Sequence, residues 1–113
     1  MMTLLELDRA IEGSETTLIV AVEKNELIGS VEIRLGQLVA GIRALNVVQH
    51  HRRKGLGWTL LQRCLEIATN HGCESIGLTC WRSNTAAVAL YRRGGFIVTA
   101  EQGHELELIK PLR

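Results

Sequence analysis

The chain changes its hydrophobic period once, and the change falls on a run of basic residues. Leu27 to Leu35 alternates through Ser30, Glu32 and Arg34, which is the pattern of a half-buried strand, and Leu38 to Val48 reads as a further strand. From Gly57 to Asn70 the apolar residues Leu60, Leu61, Cys64, Leu65 and Ala68 instead recur at helical spacing. Between the two lies His50-His51-Arg52-Arg53-Lys54-Gly55-Leu56-Gly57. A basic, glycine-containing loop is thereby fixed between a strand and a helix N-terminus. The first amides of a helix have no intrahelical acceptor, and the macrodipole leaves partial positive charge there. Glycine lets the backbone approach an anion and turn without a Cβ clash. A phosphate or pyrophosphate is the natural guest. The loop is not a Walker P-loop, because GxxxxGK[ST] is absent, and not a dinucleotide fingerprint, because Gly55-Leu56-Gly57 is followed by Trp58-Thr59-Leu60.

The elements around this junction set the fold class. Leu4 to Ile11 fits a short helix or an opening strand, and Gly13-Ser14 breaks it. Thr17 to Glu23 is β-branched and apolar, a strand, and Lys24-Asn25-Glu26 and Gly36-Gln37 are turns. The three strands ahead of the basic loop have connections too short for crossovers and form an antiparallel meander. Asn70-His71-Gly72 stops the helix. Ser75 to Trp81 is a strand, Ser83 or Asn84 is a natural N-cap, and Thr85 to Arg93 is a second helix ended by Gly94-Gly95. Phe96 to Thr99 and Glu105 to Ile109 close the chain as strands, turning through Gln102-Gly103. The order βββ, α, β, α, ββ is an α/β layer structure, and 113 residues suggest one domain over 1–113.

Composition narrows the function classes. Lys plus Arg is 13 against 12 for Asp plus Glu, a balance that argues against a general nucleic-acid binder, so any anion site is local. No apolar run reaches the ~18 residues of a membrane span, and the N-terminus lacks the pattern of a signal peptide. Cys64, Cys73 and Cys80 are odd in number and contain no CxxC pair, which speaks against structural zinc and a disulfide framework. A reduced, cytoplasmic protein with no metal, no nucleic-acid partner and no membrane partner is expected.

Two segments in this order carry a family resemblance. Leu45-x-Val47 ahead of Arg52-x-x-Gly55-x-Gly57 resembles the acyl-CoA-binding motif of the GNAT superfamily of N-acyltransferases. Asn84-Thr85-Ala86-Ala87-Val88-Ala89-Leu90-Tyr91-Arg92-Arg93-Gly94-Gly95-Phe96 resembles its second signature, N-x-x-A-x-x-L-Y-x-x-x-G-F. The resemblance implies a mixed, mostly antiparallel sheet with a splayed parallel pair of central strands, flanked by helices. It also implies acetyl-CoA as donor. Pyrophosphate would lie on the loop Arg52, Arg53, Lys54, Gly55, Leu56 and Gly57. The pantetheine arm would lie along Asn46, Val47 and Val48, with Asn84 facing the cofactor. Tyr91 would be the general acid for the departing thiolate; a phenol with pKa of about 10 is protonated at neutral pH. A strand amide at Val47 or Val48 would bond the thioester oxygen.

The chain departs from that pattern in three ways. The strand Arg43-Ala44-Leu45-Asn46-Val47-Val48 has no carboxylate where relatives often carry the base, which leaves Glu32 on the preceding strand as the candidate. Gln49 stands where relatives often have Pro. Only sixteen residues precede Thr17, whereas the family usually places a strand and two helices there, over the acceptor side. Either the acceptor site is open, suiting a large or peptide-like amine, or a second subunit completes it, and a homodimer is expected. The expected reaction is acetyl transfer from acetyl-CoA to a primary amine, on a small molecule or a peptide, by direct attack. The alternatives are a non-catalytic acyl-CoA-binding module and an RNA-binding module built on the basic loop. Neutral charge and the lack of stacking aromatics near the loop argue against RNA.

Overall fold

Alternating and helical hydrophobic patterns resolve into strands and helices close to their expected bounds. The computed structural model describes residues 2–11, 14–52 and 54–113. The chain runs β1 (Thr3–Ile11), β2 (Ser14–Glu23), β3 (Glu26–Leu35), β4 (Val39–Val47), a 3-10 turn (Gln49–His51), α1 (Leu56–Asn70), β5 (Ser75–Trp81), α2 (Thr85–Arg93), β6 (Ile97–Gln102) and β7 (Glu105–Pro111). Among the described residues the strands form one seven-stranded sheet in the order β1-β2-β3-β4-β5-β7-β6. Every neighbouring pair is antiparallel except β4 with β5. No helix among the described residues is long and apolar enough to cross a membrane.

The segment Leu4 to Ile11, open between helix and strand in the sequence, is an edge strand paired along its length with β2. The meander therefore has four strands. Pairing decided the matter: Leu4 and Glu6 fall opposite Ala21 and Ile19 on one face, and Leu5 and Leu7 opposite Val20 and Leu18 on the other. Gly13, expected as the break, lies outside the described residues. The final hairpin is longer than expected, because Ala100, Glu101 and Gln102 keep the ladder with Glu107, Leu106 and Glu105.

Both helices pack on one face. The connections β4-α1-β5 and β5-α2-β6 each return to a parallel strand and step the same way across the sheet, so the right-handed crossover rule places both helices on the same side. α1 buries Leu56, Leu60, Leu61, Cys64 and Ala68, one stripe at helical spacing. It ends in a Schellman motif: Gly72 at φ 88° is left-handed, Gly72 N donates to Thr69 O, and Cys73 N donates to Ala68 O. Below the helices lie Ile19, Val31, Ile33, Ile76 and Leu108, none with measurable exposure. Each such side chain contributes about 2 kcal/mol through burial. The other face of the sheet carries no helix among the described residues.

Gly29 lets the first turn of α1 sit down on β3. A Cβ there would lie 3.0 Å from Leu56 Cδ2 and 3.1 Å from Asn46 O. Gly29→Val should overpack this contact and lower stability by about 1–3 kcal/mol, read as a lower urea midpoint with unchanged m-value. An unchanged midpoint would mean that α1 is not seated on β3 at this point.

Candidate functional site

The site begins with a defect in the sheet. β4 and β5 pair only through Val39, Ala40 and Gly41 with Ser75, Ile76 and Gly77. Beyond that point the two strands part, while β4 keeps β3 and β5 keeps β7 up to Trp81 opposite Glu105. A bulge accompanies the parting. Two β4 residues, Ala44 and Leu45, stand where β3 has only Val31 between Ser30 and Glu32. Ala44 adopts φ 53°, a conformation costing a non-glycine residue about 1–2 kcal/mol. Strained backbone of this kind concentrates at functional sites.

Parting leaves β4 with unused hydrogen-bonding groups. Val48 N donates to Ile28 O, on the β3 side. Alternation along the strand then turns the Val47 amide and carbonyl toward the cleft. The Val47 carbonyl is taken, since Arg52 Nε donates to it at 3.0 Å. The Val47 N–H faces the cleft by the same alternation, which separates it from Val48 as a candidate for bonding a ligand oxygen.

The basic loop closes one end of this cleft. Gly55 is the N-cap of α1 at φ 82°, and Thr59 folds both its amide and its hydroxyl back on Gly55 O at 3.0 and 3.1 Å. No acidic side chain occupies the first turn of α1, so its dipole end is uncompensated. Leu56 is buried in the core and offers the cleft only its backbone. Gly57 faces α2, where an added Cβ would lie 3.4 Å from Leu90 Cδ2.

A cavity of about 570 Å³ occupies the wedge on the helix side. Leu45 and Val47 form one wall, Ala86, Ala87 and Leu90 of α2 the other, and Arg52, Gly55 and Gly57 the end. Its remaining lining residues are His51, Trp58 and Arg93, so the lining has three basic or titratable nitrogen side chains and no carboxylate. Arg93 stacks over Trp58, 4.3 Å from the guanidinium carbon to the ring centroid, a cation–π contact that holds a positive charge at the rim. A long apolar arm ending in an anion fits such a lining.

Of the residues singled out in the sequence, Val47, Arg52, Gly55 and Gly57 meet at this cavity. Arg53 lies outside the described residues. Lys54 faces a separate small cavity with Met2, Glu23 and His51. Asn46 is exposed on the helix-free face, with Nδ2 donating to Ala44 O. The Asn84 side chain caps α2 by accepting from Ala87 N at 3.2 Å. Tyr91 is 6% exposed, stacked edge-on against Phe96 at 5.8 Å between centroids. Burial pushes its phenol up to about 12, with Cys80 and Cys64 as minor contributors. Glu32 is half-buried on the helix-free face, opposite Arg43 of β4 and Leu18 of β2. It is therefore across the sheet from Tyr91. Sequence reasoning did not find the Arg93–Trp58 stack, because residues 35 positions apart leave no local signal. Leu90 was legible only as an apolar helix position.

Comparison with known proteins agrees with the fold. The acetyltransferase (GNAT) family model matches residues 2–96. The chain is 33% identical over 81 residues to an N-alpha-acetyltransferase MAK3 of Arabidopsis thaliana, covering 68% of this chain and 43% of the relative. It is 36% identical over 58 residues to a chloroplastic GCN5-related N-acetyltransferase 4 of the same plant, covering 51% and 20%. The chain thus spans less than half the length of these curated relatives. Among solved structures it resembles a PaiA N-acetyltransferase of Thermoplasma acidophilum in complex with coenzyme A, with TM-score 0.80 and 24% identity over 85% of this chain and 60% of that one. It also resembles a GNAT family acetyltransferase of Elizabethkingia anophelis with acetyl-CoA bound, with TM-score 0.79 and 16% identity over 97% of both chains. With the family model spanning β1 to α2, the basic loop and both signature segments, the chain belongs to the acetyltransferase (GNAT) family.

Proposed function

We propose that the chain transfers an acetyl group from acetyl-CoA to a primary amine by direct attack. The observation that carries this reading is the parted β4–β5 pair, with a glycine-capped helix N-terminus at its closed-off end and, on the helix that forms one wall, a buried phenol that does not itself line the cavity. In this reading the amides of Gly55, Leu56 and Gly57, with Arg52, hold the pyrophosphate of the donor. Arg53, from its place in the sequence, belongs to the same loop. Asn46, Val47 and Val48 give the backbone edge along which the pantetheine arm lies, a form of strand addition. Lys54 adds charge to the approach without lining the cavity, and Asn84 acts through the helix it caps.

The chemical roles divide between the two faces of the sheet. The Val47 N–H is the donor for the thioester oxygen as it gains negative charge. Tyr91 donates its proton to the departing thiolate; burial keeps the phenol protonated across the neutral range and also makes it a weaker acid than an ordinary phenol. Glu32, on the helix-free face beside Arg43, accepts the proton of an amine arriving from that side. The nitrogen–carbon bond forms as the carbon–sulfur bond breaks, one proton leaves the amine, and one reaches the thiolate. No cysteine is required. Cys64 is buried, and its thiol is pushed up to about 12 chiefly by that burial, far from the reactive range. We read the working unit as a homodimer in the cytoplasm, with a small-molecule or peptide amine as acceptor. A second reading, an acyl-CoA-binding module without transfer, draws support from Glu32 not lining the cavity.

Three measurements test the proposal. Isothermal titration should show acetyl-CoA binding that weakens at least tenfold in Gly55→Glu, which adds strain at φ 82° and negative charge at the cradle. No binding by the wild-type chain would end the enzyme reading. Tyr91→Phe should reduce turnover over an amine panel far more than it weakens acetyl-CoA binding, whereas equal turnover would remove Tyr91 from the mechanism. Tyr91 is the sole tyrosine of the chain, so its titration can be followed by tyrosinate absorbance alone. Burial disfavours the anion, so the midpoint should lie near 12, and a midpoint near the ordinary value of about 10 would show a phenol open to solvent.

A further inference from the structure

The cavity on the helix side has a second concentration of positive charge, apart from the basic loop. Arg93, in the last turn of α2, lays its guanidinium over the Trp58 ring at 4.3 Å. Both residues line the cavity. Trp58 follows Gly57 directly, in the first turn of α1, so the stack begins one residue beyond the cradle amides. The two helices that carry it are in close contact. An added Cβ would lie 3.4 Å from Leu90 Cδ2 at Gly57 and 3.0 Å from Leu61 Cδ2 at Gly94.

Stacking uses the face of a guanidinium and leaves its edge. The N–H donors lie in the plane of the group, so they point past the ring. Among the described residues Arg93 has no salt-bridge partner and no side-chain hydrogen bond. A positive charge in the last turn of a helix complements the macrodipole, and that account serves Arg92 equally well. The two arginines differ in what they line. Arg92 lines a separate cavity, with Arg82 and Glu101. Arg93 lines the cavity that ends in the basic cradle, where there is no carboxylate to neutralise it. Unspent donors, a fixed plane and a place beside an anion cradle suit an arginine to bind phosphate.

We propose that Arg93, held flat by Trp58, binds a second phosphate of the donor, the phosphomonoester on the ribose of coenzyme A. The inference rests on the acetyl-CoA reading and adds a specificity to it. Coenzyme A carries its diphosphate and this phosphomonoester on one ribose. A diphosphate on the amides of Gly55 to Gly57 therefore keeps the other group close to the first turn of α1. At neutral pH a phosphomonoester carries a charge of about −1.5 to −2, and its oxygens can accept two N–H donors from one guanidinium. Dephospho-CoA lacks only this group, so Arg93 is the residue by which the site tells the two apart. Trp58 is a positioning residue that acts through Arg93.

Titration calorimetry with acetyl-CoA and acetyl-dephospho-CoA, at one fixed salt concentration, tests the assignment. The wild-type protein should bind acetyl-CoA roughly tenfold more tightly, the difference that one charge-assisted contact makes. Arg93 is exposed, so its replacement leaves the core intact. Arg93→Gln should bring the two affinities within about twofold of each other, by weakening acetyl-CoA alone. Trp58→Leu should give an intermediate ratio, and Trp58→Phe, which restores an aromatic face, should recover most of it. Arg92→Gln should keep the full ratio. The ratio is the readout because a purely structural role would weaken both ligands alike. Equal affinities in the wild type overturn the proposal. So does Arg93→Gln with an undiminished ratio, or with a parallel loss of both ligands. Loss of the ratio in Arg92→Gln also overturns it, by assigning the discrimination to overall charge. Tight, equal binding of both ligands removes the role of Arg93 and leaves the donor reading standing. A wild-type protein that binds neither ligand ends the donor reading and this inference together.

Discussion

The rest of the molecule depends on the end of pairing between β4 and β5. Three residue pairs hold the strands together, and after Gly41 and Gly77 each strand keeps only its outer neighbour. A buried sheet edge with unpaired amides would be costly. This one is lined on the helix side by an open cavity, so its groups can meet solvent or a ligand. The bulge at Ala44 turns β4 out of the ladder, the Val47 carbonyl is tied to Arg52, and the Val47 amide is left facing the gap. The basic loop, α1 and α2 are arranged around that gap and would have nothing to close without it.

Rigid elements fix the geometry at its rim. α1 is pinned to β1 as well as to the centre of the sheet: Arg63 donates two hydrogen bonds to the Glu6 carboxylate, one of them 3.0 Å from Nη2. At the other end, Gly94 permits close approach of the helices, since a Cβ there would lie 3.0 Å from Leu61 Cδ2. The helix N-terminus and the buried phenol are thereby held by packing as well as by the loops that carry them. This is the usual requirement for a site that must present donors at fixed positions.

Much of this was legible in the residues. The bounds of β5 and α2, an N-cap at Ser83 or Asn84 and the strand-to-helix junction at the basic loop followed from periodicity and turn chemistry. Three features did not. Leu4 to Ile11 satisfies both a strand and a helix pattern, and only its pairing with β2 decided between them. The bulge falls on Ala44, a residue type with no preference for φ > 0, so the sequence carries no mark of it. Asn84 was read both as one of two possible N-caps and as facing the cofactor, and its side-chain oxygen accepts from Ala87 N; the same residue type serves both ends, and sequence alone cannot rank them. The two faces of β3 were readable as alternation, but not which of them would be left without helices.

That division of faces has an evolutionary reading. The residues of the cradle and cavity lie on the helix side, where core packing constrains every neighbour. Glu32, Arg43, Asn46 and Trp81 stand on the face that carries no helix among the described residues, Glu32 half-buried and the other three exposed. Substitutions there can accumulate without disturbing the hydrophobic interior. A sheet of this kind can hold one half of its chemistry fixed by selection on folding, while the other half drifts toward new partners.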